Sequence, residues 1–139
     1  MAFLSDVAAL LGARQEADVI YRLLEPLRGR SLVLGLCVAN WGCASRALGS
    51  LAHTMGRDAE AAEFFLEAIS VDDHAGARAW AARDRYEYAR LCQHSADREV
   101  SERAASMLGE AERVSAELGL SDLALRLDGL RHERKLEQP

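Results

Sequence analysis

The stretch from Leu48 to Ala68, LGSLAHTMGRDAEAAEFFLEA, decides the fold. Leu48, Gly49 and Ala52 recur at helical spacing before Gly56, and Ala61, Phe65 and Ala68 recur at the same spacing after it. Side chains three or four apart share a helix face, so the two sets describe short helices whose small and aromatic faces meet across a turn at Gly56. The unit is a helical hairpin.

Moving outward, the same pattern recurs. Leu4, Ser5, Ala8, Gly12, Ala17 and Tyr21 fall on Leu48, Gly49, Ala52, Gly56, Ala61 and Phe65 at a constant offset of 44. The second helix repeats once more at an offset of 43, which places Ala104, Leu108 and Ala111 on Ala61, Phe65 and Ala68. One hairpin cannot bury its apolar face alone, so three units over about 2–27, 36–70 and 75–118, closed by a helix over 121–136, predict a single stacked domain of 139 residues. The expected fold class is all-α, with seven helices and no sheet.

Local signals fill in the boundaries. Pro26 and Gly29 close the second helix, since proline lacks the N–H that a helix needs and glycine suits its C-terminal cap. LVLGL, over 32–36, has the look of a strand, but a single strand without a partner is unstable, so a third helix is expected from about residue 36 to Met55. Asp58 is read as the cap of the fourth helix, Asp72 and Asp73 as the cap of the fifth, and Ser121-Asp122 as that of the seventh. The charged run RHERK, Arg131 to Lys135, is expected to fray.

Composition narrows the classes. Aromatics are only 6% and the apolar set is dominated by Ala and Leu, a balance that favours helices over sheet. A net charge of -5 argues against direct nucleic-acid binding or an anionic membrane surface, and no run approaches the ~18 apolar residues of a membrane span. Cys37, Cys43 and Cys92 form no C-x-x-C pair, which points to reduced thiols in a cytoplasmic protein.

Leu48-Gly49, Ala52, Ala61, Phe65 and Ala68 occupy the small, aromatic and small positions of a tetratricopeptide repeat, which this chain resembles. Ser45 stands where that family carries tryptophan, and the interval of 44 exceeds the family's ~34. SRALGSLAHTMGRDAEAAEFFLEAI, followed by GARAWAARDRYEYARLC, is further similar to the tetratricopeptide-like region of large actinobacterial regulators that join a nucleotide cyclase or LuxR-type DNA-binding domain to a STAND-type ATPase. The resemblance implies a right-handed solenoid of antiparallel helical hairpins acting as a partner-binding or effector-sensing arm. Neither a phosphate-binding G-x-x-x-x-G-K-[ST] loop nor a basic helix-turn-helix occurs in this sequence.

Chemistry is sparse. His53, His74, His94 and His132 fall on different predicted elements, no serine sits in G-x-S-x-G, and Tyr86, Glu87 and Asp84 have no nucleophile beside them, so neither catalysis, a cofactor nor a metal is expected. Recognition is better supported. In tetratricopeptide folds the first helix of each pair lines a concave groove, and the register projects Cys43, Arg46, Ser50, His53, Arg83, Tyr86, Arg90 and Gln93 into it. Three of these are arginine, which fits a groove for an acidic protein or peptide segment, because the guanidinium fork matches a carboxylate. The competing reading pairs them with Asp84, Glu87 and other helix acids at i, i+4. Trp41 and Trp80 are read either as wedges between hairpins or as exposed anchors for a partner helix. Two alternatives to partner binding remain open at this point, a homodimer through apolar end faces and a small-ligand receptor or enzyme using the groove.

Overall fold

The computed structural model describes residues 2–34 and 39–137. Among them the chain forms helices α1 (Ala2–Leu11), α2 (Arg14–Leu24), α3 (Ala44–Thr54), α4 (Asp58–His74), α5 (Arg78–Cys92), α6 (Arg98–Leu118) and α7 (Ser121–Glu137). A 3-10 turn over Glu25–Leu27, opened by Pro26, follows α2. The expectation of a wholly helical chain needs correction, because strands β1 (Ser31–Leu34) and β2 (Ala39–Cys43) pair as an antiparallel ribbon between α2 and α3. The part of the strand-like LVLGL that is described, Leu32 to Leu34, does find a partner, within residues expected to open the third helix, and that helix starts only at Ala44.

Four of the helix ends are built alike. After α1, α3, α4 and α6 the chain passes through Gly12, Gly56, Gly76 and Gly119, each at positive φ, which glycine adopts without a Cβ penalty. The next residue then donates its N–H back five residues, from Ala13 to Ala8, Arg57 to Ala52, Ala77 to Asp72 and Leu120 to Ser115, at 2.8 to 3.0 Å. This bond satisfies a carbonyl that the ended helix leaves without a partner. The acceptor residues are all buried, so each turn folds back over the core.

Those turns also displace two expected caps. Asp58 is the first residue of α4 rather than its cap, and its carboxylate meets His53 Nδ1 at 2.7 Å. Asp72 and Asp73 do not open α5; they lie in the last turn of α4, and α5 begins after Gly76. A side-chain cap does form at Asp97, which accepts from the N–H groups of Glu99 and Val100 at the start of α6. The terminal run stays helical to Glu137, and Arg131 ties it to Glu112 of α6.

The α3–α4 contact is as close as the sequence implies. A Cβ on Gly49 would lie 2.8 Å from the Phe65 ring, so only glycine lets the helices approach this far. Ala17, Ala61 and Ala104 are all buried. Ala17 and Ala61 each stand three residues after the first residue of their helix, whereas Ala104 stands six after, about one turn later on the same face. Ser45 is wholly buried, and its hydroxyl accepts from Gly29 N and donates to Glu67, which also receives Arg28.

Six of the long-range side-chain bonds span 39 or 40 residues. Asp6–Arg46 and Asn40–Trp80 are 40 residues apart; Tyr21–Glu60, Arg28–Glu67, Arg78–Glu117 and Arg83–Asp122 are 39 apart. Among the described residues no helix is long and apolar enough to cross a membrane.

Candidate functional site

α5 is buried along Ala81, Ala82, Asp84, Tyr86, Tyr88, Ala89 and Cys92, which turns Trp80, Arg83, Glu87 and Arg90 to the other side. These four form the floor of a cleft of about 680 Å³. α3 supplies one wall with Arg46, Ser50, His53 and Thr54, while its small residues face the core. Asp6, Ala9 and Leu10 of α1, Trp41 of β2, and Leu123 and Arg126 of α7 complete the lining, with Tyr86 reaching in from α5. Every lining residue comes from α1, α3, α5, α7 or the ribbon, and none from α2, α4 or α6.

Of the eight residues projected from sequence, the cleft gathers Arg46, Ser50, His53, Arg83, Tyr86 and Arg90. Cys43 is corrected: it is the last residue of β2, fully buried, and burial pushes its thiol pKa up, away from reactivity. Gln93 follows the end of α5 and does not reach the cleft. Cys37 lies outside the described residues.

The ribbon builds the aromatic end. Gly42 sits at φ +80°, and a Cβ there would fall 3.0 Å from the Trp80 ring, so the indole lies directly on the strand backbone. Trp80 Nε1 donates to the Asn40 carbonyl at 3.1 Å, and the Trp41 ring is 6.1 Å away at a 41° tilt. Trp41 Nε1 in turn donates to Asp6 at 3.3 Å. Both indoles are half-buried and line the cleft, so they are neither sealed wedges nor free anchors. Arg46 and Arg83 stand over Trp80 at 5.2 and 5.6 Å from the ring centroid, within cation–π range.

Four arginines face two carboxylates, Asp6 and Glu87, so the lining is net positive on a chain of charge -5. The local i, i+4 account of these arginines does not hold for most of them. Arg46 bonds Asp6 of α1 at 3.3 Å, and Arg83 takes both oxygens of Asp122 of α7 at 2.6 and 3.0 Å. Only Arg90 pairs within its own helix, with Glu87 three residues back. The Arg83 guanidinium holds the Asp122 carboxyl below its ordinary pKa. Arg126 makes no hydrogen bond or ion pair with any described residue. The 43-residue offset would have found it, since it carries Arg83 onto Arg126, had the closing helix been treated as a further repeat.

Asp84, expected among the ion-pair acids, is instead fully buried with Asp72, and neither lines the cleft. Asp72 Oδ2 accepts the Cys43 N–H at 3.2 Å. Burial first, then the charge of Asp72, raises the Asp84 carboxyl well above the ordinary carboxylate range, which favours its protonated form beside Asp72. Arg46, which does line the cleft, acts on both carboxyls. Among the described residues no three His, Cys, Asp or Glu side chains gather as metal ligands. Compared with family models, curated proteins and solved structures, the chain matches none.

Proposed function

We propose that this chain is a non-catalytic helical-repeat module, built as a tetratricopeptide-like solenoid, that binds an acidic protein or peptide segment. Its setting is the cytoplasmic sensing or recruiting arm of a larger transcriptional or signalling regulator. The observation that carries the reading is the provenance of the cleft: its lining comes from the first helix of each hairpin, the closing helix and the ribbon. That is the arrangement expected if hairpins stack with their first helices toward a common concave side. The recurrence of a 39- or 40-residue separation in six of the long-range bonds supports the same stacking.

The excess of arginine selects the partner's sign, and the two indoles offer flat apolar surface beside it. Because Trp41 and Trp80 are the only tryptophans in the chain and both line the cleft, their fluorescence reports occupancy directly. Ten-residue peptides of acidic, neutral and basic composition should be titrated against it. Acidic peptides should perturb the emission, and joint replacement of Arg46, Arg83, Arg90 and Arg126 by Gln should abolish the response with helicity retained. A response that survives the joint replacement, or none from any peptide, disposes of the reading.

A homodimer is favoured by a separate observation. Phe3, Leu4, Leu11, Val19 and Leu23 on α1 and α2 are more than half exposed, and a second copy would cover them. Light scattering that gives a monomer mass at high concentration would exclude it.

A further inference from the structure

We infer that Arg126, together with the Tyr86 hydroxyl, forms the anchoring point for a carboxylate of the bound segment, at the end of the cleft where α5 meets α7. This deepens the proposed function and rests on it.

Charge matching singles out the residue. Arg46 is met by Asp6, Arg83 by both oxygens of Asp122, and Arg90 by Glu87, so a ligand carboxylate at any of them competes with one already present. Arg126 forms no hydrogen bond or ion pair with a described residue, and although its charge reaches Asp122 one turn back, that carboxylate is taken up by Arg83, while Arg126 lines the cleft and is exposed. It stands one turn beyond Asp122 on α7, near enough for its charge to act on Tyr86. The Tyr86 hydroxyl likewise makes no hydrogen bond with any described residue. A guanidinium fork and one phenol O–H supply three donors to a carboxylate that accepts about four.

The opposite end fixes what else the segment carries. Trp80 and Tyr86 are six residues apart on α5, about 9 Å at 1.5 Å per residue, which roughly three extended residues span. A segment anchored at Arg126 therefore sets an apolar side chain against Trp41 and Trp80 when that residue lies three positions before the carboxylate.

Three tetrapeptides test this by tryptophan fluorescence titration: acetyl-Leu-Gln-Gln-Glu-amide, acetyl-Leu-Gln-Gln-Leu with a free C-terminus, and the neutral acetyl-Leu-Gln-Gln-Gln-amide. At least one charged peptide should bind about tenfold or more tighter than the neutral one, a charge-assisted hydrogen bond's worth. Which charged peptide gains tells a side-chain carboxylate from a terminal one. Arg126→Gln should abolish the advantage while leaving the neutral peptide's affinity unchanged, and Tyr86→Phe should reduce it by less. An advantage retained in R126Q, or none in the wild-type chain, overturns the inference and leaves the proposed function standing. No response to any of the three overturns both.

Discussion

Asp84 of α5 and Asp72 of α4 lie side by side in a site where neither has any solvent exposure, and burial raises both carboxyls above their ordinary range. Asp84's folded pKa lies above its ordinary value of 3.8, so folding takes up a proton wherever the unfolded chain has lost it. The corresponding stability is complete below that ordinary value and is lost as pH rises through the folded one. The slope of stability against pH is at most about 1.4 kcal/mol per unit for one proton. Asp84→Asn keeps an N–H donor toward Asp72 and does not titrate. Chemical denaturation from pH 4 to 8 should show the decline in the wild-type chain and a flatter profile in D84N, with the variant the more stable at pH 8.

Gly49→Ala places a methyl where the Phe65 ring stands at 2.8 Å. The ring is fully buried and has little room to retreat, so the substitution should cost about 1–3 kcal/mol by overpacking. Adding Phe65→Leu should recover part of that loss. A G49A chain as stable as the parent would mean that α3 and α4 slide apart freely.

Gly42→Ala combines a strained φ of +80° with a Cβ 3.0 Å from Trp80. The ribbon lies outside the main apolar core, so thermal stability should fall modestly, by about 1–2 kcal/mol. The emission of Trp80 should shift to the red as its indole leaves the strand. An unmoved spectrum would contradict the close seating.

The pair Arg83 and Asp122 should contribute little to stability despite its two-point geometry. The side chains are 30% and 55% exposed, and exposed ion pairs are screened to about 0.5–1 kcal/mol. A double-mutant cycle with R83Q and D122N should return a coupling of that size. Since Arg83 lowers the Asp122 carboxyl, the contribution is present above that group's ordinary pKa of 3.8 and vanishes as pH falls through the depressed one.

The helices and their glycine turns were legible because each signal is local: Gly56 and Gly119 each follow an apolar period that ends where they stand. Six of the eight projected residues line one cleft because the face of a helix follows from spacing alone. The ribbon was not legible. ANWGC, Ala39 to Cys43, alternates apolar with polar or small residues over only five positions, and the contacts that seat it, Trp41 on Asp6 and Trp80 on Asn40 and Gly42, are ones that only tertiary structure creates. Asp72 was misplaced for the reverse reason. A carboxylate before a helix ordinarily caps it, but Ala75-Gly76 ends α4 after Asp72 has already turned inward to the Cys43 N–H.

The connections Leu11 to Arg14, Thr54 to Asp58 and His74 to Arg78 leave no slack, whereas α2 and α3 are joined through the ribbon. The rim bearing Trp41 therefore grows from a longer joint than those three, one whose length could change without re-registering two helices. Aperture and backbone stacking are then separate variables: a chain of this design could be retuned for a bulkier or slimmer guest by editing that one joint.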